Sequence, residues 1–422
     1  MPGAGIRMAD MGAEPPVLLD VSRLVSRIGT GPLTGIDRVE AEWLAHIASR
    51  PHLLLCRVSR GQLLLPPEAG PMILGWIAGA RPDARVNWRE RLARRDGPVG
   101  RAMGALRGMA LMRAGRGGAG LAGAASRALG RAPAYLNLGH ANLDRALLAS
   151  LAGLHRVVMI HDTIPLDHPE FTRPGQSEAF RSRFMTALTL ADQIVTISDA
   201  SAAQIRLWRG RLGVTRRAPI LTAHIGTRLA SADPGAIPQG LDRTRPCFVT
   251  LGTIEPRKNH TLLLDVWARL ASDMPARDIP RLLILGRRGW MNDAVFARLD
   301  ALGPQSPVTE MGGLTDGAVA ALLEGSHALL MPSLAEGFGL PLTEAAGRGI
   351  PVLATPLPPT QEILGTYATY LPPNRPDLWA GAIAALAKAP PARMSKHKIW
   401  GWHQHFPLVE AVLVPPASDG QG

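Results

Sequence analysis

Short runs of four or five consecutive apolar residues alternate along this chain with longer stretches whose apolar positions recur at three- and four-residue spacing. A strand buried on both faces has no polar alternation and a helix packed on one face has that 3.6-residue period, so the pattern predicts parallel sheets covered by helices. In the first half Val17-Leu18-Leu19-Asp20, Leu53-Leu54-Leu55-Cys56, Val157-Val158-Met159-Ile160 and residues 193–197 read as strands, and Ile36 to Ile47 reads as a helix. In the second half Cys247 to Leu251, Leu282 to Leu285, Ala328 to Met331 and Pro351 to Ala354 repeat the pattern. Pro234, Gly235, Pro238, Gly240 and Pro246 break up a polar stretch between the halves. The expected class is α/β with two doubly wound domains: residues 1–229, a linker at 230–246, and a second domain at 247–395.

Length supports the division, because 422 residues exceed what one ordinary core encloses. Cys56 and Cys247 are the only cysteines and neither has a CxxC or histidine-rich neighbourhood, so no disulfide framework or zinc site is indicated and a reducing cytosol is expected. No run of 18 apolar residues occurs and no apolar stretch follows the first arginine, so neither a membrane span nor a signal peptide is expected. The net charge of +12 is unevenly placed. Residues 81–131 hold twelve arginines against Asp83, Glu90 and Asp96, interleaved with Trp88, Leu92, Val99, Met103, Leu106, Met109, Leu111 and Met112. That pattern suits an interfacial helix on anionic lipid and equally a solvated helix. Gly115 to Gly123 reads as a flexible loop. The segment lacks the repeated aromatic and basic pattern of a nucleic-acid stacking platform.

The most informative segment is Ser333-Leu-Ala-Glu-Gly-Phe-Gly-Leu-Pro-Leu-Thr-Glu344. Pro341 suits the first turn of a helix, which makes residues 336–339 the loop leading into it and sets Glu344 about one turn inside. The free N–H groups of a helix start attract phosphate, two nearby carboxylates accept sugar or ribose hydroxyls, and Gly337 and Gly339 let backbone approach a ligand. A second such loop follows the strand 247–251. In Gly252-Thr-Ile-Glu-Pro-Arg-Lys-Asn-His260, Arg257 and Lys258 sit beside a helix start, where a bidentate guanidinium and a lysine point charge suit a diphosphate.

These segments, with Gly-Arg-Arg-Gly-Trp (286–290) and Met-Gly-Gly-Leu-Thr-Asp (311–316), resemble the retaining, nucleotide-sugar-dependent glycosyltransferases of the family-4 type. Thr34 to Val39 resembles that family's glycine loop after the first strand, and Ile160 to Pro165 its His-Asp segment. The resemblance implies the GT-B fold, with two Rossmann-like domains facing each other across a cleft and the terminal segment 396–422 packing back on the first domain. It further implies that Arg257 and Lys258 hold the donor diphosphate, that Glu336 binds hydroxyls of the transferred sugar with the Gly337-Phe338-Gly339 backbone, and that Glu344 holds the ribose. Gly312 and Leu314 would lie near the base, His161 and Asp162 would reach the sugar from the other domain, and Gly35 would line the site. No metal or other cofactor is implied.

The implied reaction moves a sugar from a nucleoside diphosphate sugar to a saccharide or lipid-linked saccharide, with mannosyl transfer in bacterial polysaccharide synthesis as the nearest case. It would run in the cytoplasm or on the inner membrane face, with no nucleic-acid partner. A GT-B sugar-nucleotide epimerase or glycosyl phosphorylase would share the sheets and phosphate groups, and a non-catalytic sugar-nucleotide- or nucleic-acid-binding protein is the alternative of another class.

Overall fold

A computed structural model describes residues 15–83, 97–242 and 244–415 of the chain. The first domain is built on an eight-stranded sheet in the order β4-β3-β2-β1-β5-β6-β7-β8. Its strands are β1 (Val17–Asp20), β2 (His52–Val58), β3 (Gly61–Leu65), β4 (Met112–Ala114), β5 (Ala134–Asn137), β6 (His155–Ile160), β7 (Gln193–Thr196) and β8 (Ile220–Thr222). All pairings are parallel except β2–β3 and β3–β4. The second sheet is wholly parallel and comprises β9 (Cys247–Leu251), β10 (Arg281–Leu285), β11 (Val308–Met311), β12 (Ala328–Met331), β13 (Val352–Ala354) and β14 (Thr369–Tyr370). Its order, β11-β10-β9-β12-β13-β14, is that of a dinucleotide-binding Rossmann sheet. Together they make the two-domain GT-B arrangement.

The central strands each feed two cores, which is why the sequence shows short apolar runs there. Leu19, Leu54 and Cys56 enter one face of the first sheet while Leu18, Leu53 and Leu55 enter the other. Phe248, Leu282 and Ile284 likewise oppose Val249, Leu283 and Leu285 in the second sheet. The linker lies against the second domain, where the Asp233 N–H donates to Gly317 O at 2.9 Å. The helix Trp402–Glu410 crosses back to the first domain, and Phe406, Val409 and Leu413 join its core. There the Trp43 indole donates to His405 Nε2 at 3.1 Å, and Glu410 pairs with His46 and Arg50.

The basic segment departs from a single interfacial helix. Trp88 and Leu92 lie outside the described residues. Beyond them, the helix Pro98–Met109 buries Met103 and Leu106 in the first core, and Met112 begins β4 at the sheet edge. Those methionines and leucines are spent on the fold because their period points them inward. The expected loop over residues 115–123 also ends early, since a helix covers Leu121–Leu129 with Leu121 and Ala125 buried.

Candidate functional site

Open parallel sheets bind ligands beyond the carboxyl ends of their strands, where neighbouring strands are followed by connections running in opposite directions. In the second sheet that point lies between β9 and β12, which are paired neighbours. The loops after these two strands are the Arg257-Lys258 loop and the Glu336 loop, and they are tied together. Leu334 N–H donates to Arg257 O at 2.7 Å, and Arg257 Nη1 donates to Ala335 O at 3.0 Å. The topology thus brings together groups nearly eighty positions apart in the chain.

Their side chains form a buried ion cluster. Glu336 Oε2 accepts from Arg257 Nη1 at 2.9 Å, and its Oε1 accepts from Lys258 Nζ and from Ser333 Oγ, the latter at 2.7 Å. Arg257 Nε pairs with Glu255 at 2.6 Å. Burial alone would raise the Glu336 pKa, but Lys258 and Arg257 outweigh it and hold the carboxyl at about 2. Burial pulls the Lys258 ammonium below its ordinary range despite Glu336, whereas Glu336, Glu255 and Asp162 overcome burial to stabilise the Arg257 guanidinium further. At neutral pH the cluster therefore holds an ionised acceptor, Glu336, beside a permanent cation. Arg257 Nη2 and two Lys258 N–H groups make no bond among the described residues, so an anion can be gripped without detaching Glu336.

The first domain supplies the opposite wall. His161 and Asp162 follow β6 and line, with this cluster, an interdomain cleft of about 650 Å³. His161 Nε2 donates to Leu138 O at 2.7 Å, which leaves Nδ1 as the ring's lone-pair nitrogen. Burial depresses its pKa to about 4, so at neutral pH the ring is an uncharged acceptor and a weak base. Asp162 Oδ1 accepts from Ile164 N–H at 3.1 Å, and burial raises its pKa although Arg257 opposes the rise.

Gly337 and Phe338 occupy the seam between the domains. A Cβ on Gly337 would lie 3.0 Å from Asp162, and the Gly337 carbonyl accepts from Ser198 Oγ at 3.0 Å. The Phe338 ring is buried in the first domain's core, 5.9 Å from the His224 ring. Thus the close approach that requires glycine at 337 is made by the facing domain. Gly339, at φ 95°, caps the helix Leu340–Gly347, with Pro341 in its first turn. Glu344, one turn in, meets Arg38 of the first domain at 3.2 Å, and the same guanidinium pairs with Asp316 at 2.7 Å. Burial raises the Glu344 pKa, with Arg38 opposing. Gly35, Leu314 and Glu344 line the cleft. Gly312 does not; its neighbour Gly313 does.

Three contributors carried no assigned role in the sequence reading. Glu255 and Ser333 were visible inside the two loops, but only the folded contact gives them a purpose. Arg38 sits in the Thr34–Val39 segment, where its spacing from Asp37, which caps the helix Gly35–His46, was the available signal. Asp20, the last residue of β1, accepts from Ser22 N–H at 2.9 Å and also from Asn142 and Tyr135.

Residues 237–398 match the family described as Glycosyl transferases group 1. The second domain is a group 1 glycosyl transferase domain. Across 63% of its length the chain is 29% identical to the serotype-specific mannosyltransferase WbdA of Escherichia coli, covering 35% of that protein. Across 52% it is 27% identical to the O-antigen chain mannosyltransferase B of Escherichia coli, covering 58% of it. The chain thus spans about a third of the first relative and just over half of the second. HepE of Anabaena, solved in complex with UDP-glucose, superposes over 88% of this chain and 89% of its own with a TM-score of 0.56 at 16% identity, a likeness of fold. Among the described residues no cluster of metal-ligating side chains occurs and no helix is long and apolar enough to cross a membrane.

Proposed function

We propose that this chain is a retaining hexosyltransferase that moves a sugar, mannose being our first candidate, from a nucleoside diphosphate to a saccharide or lipid-linked saccharide in polysaccharide synthesis. The observation that carries the reading is Glu336 held ionised between Arg257 and Lys258 at the switch point of the second sheet. The mannosyltransferase names of the two relatives support the sugar. In this reading Arg257 and Lys258 take the diphosphate, Glu336 the sugar hydroxyls and Glu344 the ribose. The bond from C1 to the phosphate oxygen breaks with its electron pair passing to phosphate, where the two cations stabilise the growing charge. The acceptor oxygen joins C1 on the same face, and its proton goes to a phosphate oxygen. His161 is too weak a base for that task and serves as a hydrogen-bond acceptor for the sugar. No metal is assigned to the chemistry.

The peripheral part of the reading is electrostatic. Exposed Arg101, Arg113 and Arg116 in the basic segment would draw the first domain to an anionic membrane, while Met103 and Leu106 are committed to the core. Incubating the protein with GDP-mannose, UDP-glucose and other nucleotide sugars and following the released sugar by NMR tests the assignment. Release or transfer with retained configuration from one donor supports it; inert donors throughout, or conversion to an epimer still attached to nucleotide, would replace it.

A further inference from the structure

The wall of the cleft opposite the ion cluster carries positive charge of a different kind. Arg23 lines it, and behind Arg23 stand two further arginines from separate parts of the chain. Arg23 lies in the short helix Ser22–Ser26 after β1, Arg57 is the penultimate residue of β2, and Arg183 lies within the helix Gln176–Leu190 after β6. β1 and β2 run side by side with Asp20 opposite Leu55, and the Arg57 N–H donates to Ser22 Oγ at 2.8 Å, which sets Arg57 beside the start of the Arg23 helix. A Cβ on Gly139 would stand 2.8 Å from the Arg23 side chain and nearer still to the carboxyl of Glu40, whose pKa burial raises well above the ordinary range. One turn before Arg183, Phe180 lies 5.8 Å from the His140 ring. Residues 139 and 140 are therefore the ground on which the three cationic side chains converge, at the carboxyl end of the first sheet and next to its own switch point between β1 and β5.

The three are not equally neutralised. Asp37 pairs with Arg23 at 2.7 Å. Arg57 and Arg183 face no carboxylate among the described residues, and Arg183 Nε is buried without a hydrogen-bond partner. Burial, then Arg57 and Arg23, lowers the proton affinity of Arg183, which records three like charges held together. His140 cannot supply the missing anion and is no further cation: its Nε2 accepts the His161 N–H at 3.1 Å, and burial keeps it neutral. A desolvated guanidinium with an unmade bond and like-charged neighbours is costly to the folded chain, and a bound anion removes both costs.

We infer that Arg57 and Arg183 bind an acidic group, phosphate or carboxylate, carried by the acceptor saccharide. Arg23 itself lines the cleft beside His161, so an acceptor anchored there by its acid would present a hydroxyl toward the reaction centre. Guanidinium groups suit this task because their planar fork pairs with two oxygens at once. The inference rests on the transferase reading above and deepens it by naming the acceptor's chemistry.

Calorimetric titration tests it, using protein saturated with GDP or UDP so that the donor side is filled. The probes are α-mannose 1-phosphate, methyl glucuronoside and neutral methyl α-mannoside. At least one acidic probe is expected to bind tenfold or more tightly than the neutral one, with an advantage that shrinks as salt is raised. Which acidic probe gains identifies phosphate or carboxylate. Arg183→Gln and Arg57→Gln should each abolish the advantage while retaining affinity for the nucleoside diphosphate. Exposed Arg57 supplies the variant least able to disturb folding. Equal binding of all three probes, no binding of either acidic one, or an advantage that survives both substitutions would overturn the inference. Failure of GDP and UDP to bind at all would instead count against the donor-site reading.

Discussion

The two walls of the cleft use charge in opposite ways. On the second domain, Arg257 and Lys258 are matched by Glu336 and Glu255, and the four groups hold one another in place. On the first domain, Arg57 and Arg183 stand beside Arg23 and pair with no carboxylate among the described residues. A matched buried cluster fixes geometry before a ligand arrives, which suits a site that must stabilise charge developing during bond cleavage. An unmatched cluster stores attraction for an anion and imposes little geometry, which suits anchoring.

The sharpest way to break the comparison is to unbalance the matched wall. Arg257→Ala leaves Glu336 and Glu255 sharing Lys258 in a buried setting. Breaking such a pair costs about 3–5 kcal/mol, and losing the charge-stabilising donor costs roughly 10²–10³ in turnover. Denaturant unfolding and single-turnover rates report the two effects separately. Near-parental turnover would remove Arg257 from the diphosphate site. Arg257→Lys should recover stability better than rate, since the fork that spans Glu255, Ala335 and Glu336 is lost.

Glu336→Gln keeps the shape and removes the charge. Transfer should fall by roughly 10²-fold, the lower end for losing one preorganised group, while free nucleoside diphosphate binds at least as well as to the parent because the net charge beside it rises. A weaker nucleotide affinity in this variant would mean that Glu336 organises the phosphate grip itself. Glu344→Gln should show the reverse pattern, with nucleoside diphosphate affinity down by about tenfold from a weakened charge-assisted hydrogen bond. Unchanged nucleotide binding would leave Glu344 as the partner of Arg38 across the domain seam.

The difference between the walls also explains what could be read from sequence. Both loops of the matched wall are continuous segments whose glycines, proline and charges stand within nine or twelve positions, so Arg257, Lys258, Glu336 and Glu344 were legible before any fold was known. Their mutual pairing was not, because it depends on β9 and β12 being neighbours across an interval of about eighty residues. The strands 17–20, 247–251 and 328–331 were legible for the same local reason, a short stretch made almost wholly of apolar residues. β4 and β14, with three and two residues, offered too little pattern to see. The unmatched wall was illegible altogether, since positions 23, 57 and 183 share no motif and meet only through sheet order. In the basic segment, amphipathic spacing was real but faced the core, as Met103 and Leu106 demonstrate.

A smaller effect comes from His260, next to Lys258 at the start of the helix His260–Asp273. Burial, with Lys258 adding to it, lowers its pKa from 6.5 to about 4. Because the folded value lies below the unfolded one, the unfolded chain takes up the proton first on acidification. The contribution to stability is complete above pH 6.5 and is lost as the pH falls toward 4. His260→Gln should therefore lose up to about 3 kcal/mol less than the parent across that window, a difference readable in urea midpoints. Parallel pH profiles for the two proteins would show that His260 is not buried neutral.

Whether Arg257, Lys258 and Glu336 form a diphosphate-sugar site is decided by comparing matched nucleoside diphosphates and monophosphates in calorimetric titrations of the parent and of Lys258→Met. At least one nucleoside diphosphate should bind the parent, its monophosphate should bind more weakly by tenfold or more, and that gap should close in Lys258→Met. A gap that persists without the Lys258 charge, or a parent that binds diphosphate and monophosphate alike, would contradict the account.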